Sequence, residues 1–125
     1  MRKQYHLWPG ETGLDAWDVD RLIELSQALP RRLVALSSIT DLDAEYWYLD
    51  EEQTPTVRSI VEHMRLISEV DRSHPIILSA TGRVMDGMHR VARALLDEES
   101  TIEAVQFEVD PEPDYRNCRP ADLPY

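Results

Sequence analysis

The stretch PIILSATGRVMDGMHRVARALL, residues 75–96, leaves the chain little choice of local structure. PIILS reads as a compact apolar strand, Gly82 marks a turn within ATGR, and VMD reads as a second short strand. Asp86-Gly87 then opens, with no linker, into an amphipathic helix whose Met88, Val91, Ala92 and Leu95 take the i, i+3, i+4, i+7 positions and are expected to face a core. His89, Arg90 and Arg93 then point away from it. A strand that ends in Asp-Gly and becomes a helix exposes backbone N–H groups with no intrahelical partner, and such an end attracts anions. Gly87 removes a side chain from the approach, while His89 and Arg90 add donors, Arg90 with a planar fork suited to phosphate. The same residues also read as a turn glycine, a capping Asp86 and two solvated side chains, so the motif acquires meaning from its surroundings.

Those surroundings fall into three zones. Residues 1 to about 30 form an N-terminal arm: a Trp/Pro/Gly-rich loop, HLWPGETGLDAW, then a helix across VDRLIELSQAL with Asp18 as its cap, Val19, Leu22, Ile23 and Leu29 on its apolar face, and Pro30 at its end. Residues 31–109 carry a strand at Leu33–Leu36, the acidic and aromatic loop SSITDLDAEYWYLDEEQ, and a helix in PTVRSIVEHMRLISEV with Thr54 as N-cap and Pro55 at the first helical position. Val57, Ile60, Val61, Met64 and Ile67 make the apolar stripe of that helix. Thr56, Ser59 and His63, spaced three and four apart, share its edge. After the strand–turn–strand–helix unit comes TIEAVQFEV, a strand with Val105, Phe107 and Val109 alternating against Gln106 and Glu108. Residues 110–125, rich in Pro and Asp, read as an extended tail. The expected class is α+β: a single domain with a small mixed sheet and helices, an N-terminal helical arm and the tail.

Composition limits the partners. With 125 residues, 42% hydrophobic and 30% charged, the chain suits one soluble domain. Thirteen Lys and Arg against twenty-four Asp and Glu give a net charge of −11, which opposes nucleic acid and anionic membrane surfaces on average while leaving room for a local anion site. No apolar run approaches the roughly 20 residues that span a bilayer, and the start MRKQYHLWPGE lacks a signal-peptide core, so a cytoplasmic location is expected. The single Cys118 forms no internal disulfide and reads as a bystander. No Cys or His spacing indicates a zinc site. Nothing in the sequence sets an oligomeric state.

Chain order and motif together resemble the ParB/sulfiredoxin superfamily over about residues 33–109. Sulfiredoxins carry Gly-Gly-Cys-His-Arg at this turn, ParB-like free serine kinases Asp-Gly-His-His-Arg, and partition proteins a Gly-Glu-Arg-Arg form. Asp86-Gly87-Met88-His89-Arg90 looks most like the kinase form. The resemblance implies a site for ATP or another nucleotide with Mg²⁺, or for another phosphorylated small ligand, in which His89 and Arg90 bind phosphate. The preceding helix would add Ser59 directly, with Thr56 standing where sulfiredoxins have Lys and His63 where they have Thr. Met88 occupies the place of the sulfiredoxin nucleophile, and a thioether cannot attack a phosphoryl group, so sulfinic acid repair is excluded.

By the same resemblance, a carboxylate of the aromatic loop would act as the base of a kinase. Asp41, Asp43, Glu45, Asp50, Glu51 and Glu52 are the candidates, Glu45 preferred because Tyr46 and Trp47 beside it would desolvate it. Asp86 would help hold Mg²⁺ or cap its helix. The functions in view are nucleotide binding with ATPase or small-molecule kinase activity, and alternatively a non-catalytic regulatory or protein-binding module of the same fold. DNA binding is disfavoured by the charge and by the lack of a helix-turn-helix after the domain. His6, Trp8, Trp17, Tyr46, Trp47 and Tyr48 read mostly as packing, with a ligand wall as the alternative.

Overall fold

A computed structural model describes residues 3–49 and 53–125. It is a small mixed α+β protein with two sheets and three α-helices. The four-stranded sheet contains β3 (Arg32–Ala35), β4 (Ile76–Leu78), β5 (Val84–Asp86) and β6 (Thr101–Gln106) in the order β3-β6-β4-β5. β6 is antiparallel to β3 and parallel to β4, and β5 turns back antiparallel on β4. This matches the strand–turn–strand unit expected at residues 75–86.

The central strands are buried on both faces, and their side chains separate by a period of two. Ile76, Leu78, Val84 and Ala104 point into one cluster with Leu36, Ile39, Met88, Val91 and Ala94, the last three from α3 (Met88–Leu96). Ile77, Met85, Val105 and Phe107 point into the other with Leu22 of α1 (Val19–Ser26), against Trp17 and Leu29. The N-terminal arm is thus the cover of the second sheet face. α1 starts as expected, with the Asp18 carboxylate accepting from the Asp20 N–H at 2.9 Å, but ends at Ser26, short of Pro30.

Several expectations are corrected. The Trp/Pro/Gly-rich stretch is a hairpin rather than a loop: β1 (Tyr5–Pro9) pairs antiparallel with β2 (Leu14–Asp18). The tail is not merely extended, since β7 (Tyr115–Cys118) adds to β2 and completes a three-stranded sheet. Indole Nε1 of Trp17 donates to Pro111 O at 2.8 Å and the Asp18 N–H to Asp114 Oδ2 at 2.8 Å, which ties the end of the chain to its beginning. In α3 the inward face is Met88, Val91 and Ala94; Leu95 is 54% exposed. In α2 (Val57–Ser68) the cap is Thr56, whose hydroxyl accepts from the Ser59 N–H at 3.1 Å, so Thr54 and Pro55 precede the helix. The apolar stripe read in α2 is present, and most of it is exposed. Val57, Ile60, Val61 and Met64 are 80%, 45%, 47% and 62% exposed.

Residues 36–48 coil in three short 3-10 turns over one sheet face. Asp41, 2% exposed, anchors this loop. Its Oδ1 accepts from Arg83 Nε at 2.6 Å and its Oδ2 from the Val84 N–H at 2.8 Å, while Tyr46 Oη donates to Val84 O at 2.7 Å. Losing the carboxylate strands a buried N–H and half of an ion pair. Asp41→Ala is therefore expected to cost about 2–3 kcal/mol of unfolding free energy, the Arg83 side being partly exposed. Urea denaturation of the variant beside wild type measures it, and a loss under about 0.5 kcal/mol would contradict the anchoring role.

Candidate functional site

The site begins where β5 becomes α3. Gly87 sits at the N-cap position with φ 100° and ψ 20°, a left-handed conformation that side chains disfavour. A Cβ there would also lie 2.8 Å from Arg90 Nη2 and 2.8 Å from Ile76 Cγ2. Conformation and space both require glycine. Arg90 is what fills the space: it folds back under the junction, its Nη2 donating to Pro75 O at 3.2 Å and to Asp86 Oδ2 at 3.1 Å. Its Nε is buried with no hydrogen-bond partner among the described residues. Asp86 and Arg90 thus form a mostly buried ion pair. Asp86 does not cap α3, contrary to one sequence reading, and among the described residues no side chain does.

His89 points the other way, into a cluster assembled from three elements. Its ring lies under Trp47 of the loop, centroids 4.7 Å apart, and Trp47 also stacks on His63 of α2 at 4.1 Å, both at an interplanar angle of 15°. His63 Nδ1 and His89 Nε2 are 2.9 Å apart in a hydrogen bond. Beside them Tyr48 stands edge-on to His63, and its hydroxyl is 3.0 Å from Ser59 Oγ. The helix spacing that put Ser59 and His63 on one edge of α2 is what lets both reach this cluster.

Burial, then the neighbouring His63 and Arg90 charges, push His89 down to about 4. Burial lowers His63 as well, with Glu62 opposing. Both rings are therefore neutral at pH 7, and one proton occupies the bond between them. The outer nitrogens, His63 Nε2 and His89 Nδ1, must then be one N–H and one bare lone pair. Such a pair offers a ligand a donor and an acceptor together, and passes a proton from one end to the other when the tautomers exchange.

A groove of about 500 Å³ runs from this cluster to the N-terminal hairpin, with Tyr5, His6, Trp47, Gly87, Met88 and His89 among its walls. Asp86 is the one acidic side chain on it among the described residues, and Lys3 also lines it. Behind Asp86, a separate hollow of about 250 Å³ is lined by Arg90 together with Arg31 and His74. The expected site residues therefore divide. His63, Asp86, Gly87 and His89 line the groove, Ser59 reaches the aromatic cluster through the Tyr48 hydroxyl without lining the groove, and Arg90 faces the opposite side. Thr56 is committed to capping α2.

Among the loop carboxylates, Asp41 is the structural anchor, Asp43 and Glu45 are exposed and off the groove, and Asp50, Glu51 and Glu52 lie outside the described residues. Trp47 and Tyr48, read from sequence mostly as packing, are the residues that complete the cluster. Their one sequence signal is an unusually aromatic run just before a polar helix edge. Cys118 donates to Leu14 O, and burial raises its thiol. No family profile matches the chain, and neither a curated protein nor a solved structure matches it significantly.

His6 shares the electrostatics of the site. It is 7% exposed between Trp17 and Tyr46, and burial brings it from the ordinary 6.5 to about 4. Above pH 6.5 neither the folded nor the unfolded chain is protonated there, so stability is level. Below it the unfolded chain takes the proton first, and stability falls until the folded value of about 4 is reached. His6 alone accounts for about 3 kcal/mol of that fall, with a smaller share from the more solvated His89. Urea midpoints measured from pH 8 to 4 are expected to be level and then drop, and His6→Phe is expected to flatten the drop. Identical slopes for the two proteins would contradict the buried neutral imidazole.

Proposed function

We propose that this chain is a ParB/sulfiredoxin-like domain that binds the phosphate of a nucleotide, ATP with Mg²⁺ foremost, or of another phosphorylated small ligand in the groove at the start of α3. One observation carries the reading: Gly87, Met88 and His89 line that groove while, among the described residues, no side chain caps the helix they begin. Unpartnered N–H groups and the helix dipole there favour an anion. The order β3, α2, β4, β5, α3, β6 is also the order that the family resemblance implies.

In this reading the outer N–H of the His63–His89 pair donates to a phosphate oxygen, and Trp47 and Tyr5 offer flat apolar walls to a base or sugar. The Asp86 charge, which would repel the ligand, is offset by Arg90 on its far side. Arg90 therefore serves the junction and not the phosphate. Asp86, on the same groove, would meet a Mg²⁺ ion that arrives on the phosphates. For ATP hydrolysis or transfer to a hydroxyl, the base is the bare imidazole nitrogen of the pair, better placed than the exposed Glu45. The non-catalytic, protein-binding alternative has its own support in the exposed apolar face of α2.

Calorimetric titration of ATP, ADP and CTP, each with Mg²⁺, into wild type, His89→Ala and Arg90→Ala tests the proposal. Micromolar binding by wild type is expected, weakened at least about tenfold in His89→Ala. Arg90→Ala is expected to melt at lower temperature and, with the Asp86 charge no longer offset, to bind about three- to fivefold more weakly than wild type, a smaller loss than in His89→Ala. Because a bound phosphate favours the protonated imidazole, affinity is expected to rise from pH 7.5 to 5.5. No binding by wild type, or equal binding by His89→Ala, would overturn it.

A further inference from the structure

α2 carries a second pattern beside its exposed apolar stripe. At about 100° per residue, Arg58, Glu62, Arg65 and Glu69 fall on one line along the helix, roughly a quarter turn from Val57, Val61 and Met64. All four are exposed, and among the described residues none of them is in an ion pair within the chain. Read along the helix the line is plus, minus, plus, minus, and read backwards it is the complement of itself. The face that packs on α3 is a different one, formed around His63 and reinforced by Arg93 Nη1 donating to Ser68 O at 3.2 Å.

We infer that α2 docks antiparallel on α2 of a second copy of this chain. Two helices related by a two-fold axis across their length bring the same flank of each together, so the charged lines meet. Arg58 then lies opposite Glu69 of the other copy and Glu62 opposite Arg65, while Val61 and Met64 pack across the axis. A parallel pair would instead set the charged line against the flank where α3 sits. Charge balance selects the same face. The chain carries −11 overall, yet two Arg and two Glu make this line neutral, so two copies can meet here without adding to their repulsion. One helix of 12 residues is about 18 Å long and covers less than the roughly 800 Å² per partner of a standard interface. The pair is accordingly weak and concentration-dependent.

Equilibrium sedimentation of the full chain from about 10 to 500 µM tests this, with Met64→Glu, Arg65→Glu and the double exchange Glu62→Arg with Arg65→Glu beside wild type. Wild type is expected to pass from monomer to dimer within that range. Met64→Glu and Arg65→Glu are each expected to raise the dissociation constant at least about tenfold, and the double exchange, which re-forms the pairing with signs swapped, to return it to within about threefold. Thermal melts of these surface variants are expected to match wild type at low concentration. A wild type that stays monomeric throughout, as when an unrelated partner covers this face, would overturn the inference. So would a dimer indifferent to Met64→Glu, or a double exchange no tighter than Arg65→Glu.

Discussion

The left-handed backbone at Gly87 is the constraint on which the rest of the site depends. It lets β5 turn into α3 within one residue, and the absent Cβ leaves the space that Arg90 fills. Once Arg90 is folded back onto Asp86 and Pro75, the two neighbours in the motif are driven apart: Arg90 underpins the junction and His89 turns to the groove. A pair that looks like a two-pronged clamp in sequence is, in space, one side chain under the junction and one on the groove wall.

The groove needs its other wall held just as firmly. Asp41 takes the Val84 N–H and the Arg83 guanidinium, and Tyr46 takes Val84 O, so the loop that carries Trp47 is attached to the same strand that launches α3. Trp47 can then lie flat over both imidazoles and keep them dry enough to remain neutral. On the opposite sheet face α1 and the hairpin close the second core, and β7 ties the tail to them, which brings Tyr5 and His6 to the groove. Local order at Gly87 and long-range order at the termini therefore meet in one cavity.

Much of the frame was legible in the sequence because it is encoded over short distances. The strand–turn–strand–helix unit, the Asp18 cap and the shared edge of Ser59 and His63 follow from spacing and side-chain chemistry alone. The hairpin was hidden because YHLWP and LDAWD are short and bracketed by the Pro and Gly that mark loops, and because β7, their third strand, lies about a hundred residues away. Ala94 is buried on the inner face of α3 and Leu95 is exposed, a fact of packing that periodicity does not carry. The fate of Arg90 needed the geometry of the turn, which sequence spacing reports only as an i, i+4 relation to Asp86. The apolar stripe of α2 was legible too, but a stripe says that a face is apolar and not what covers it, and here most of it is exposed.

The central claim is that the imidazole pair and the uncapped start of α3 receive an anion together. Nitrogen-15 NMR of the histidine rings, with the backbone amides of Met88 and His89 followed in the same titration, tests it most directly. On adding ATP with Mg²⁺ at pH 7, the account predicts that the His63 and His89 ring nitrogens move toward the protonated form while those two amides shift in step. Saturating ligand that leaves the rings neutral and the Met88 and His89 amides unmoved would contradict it.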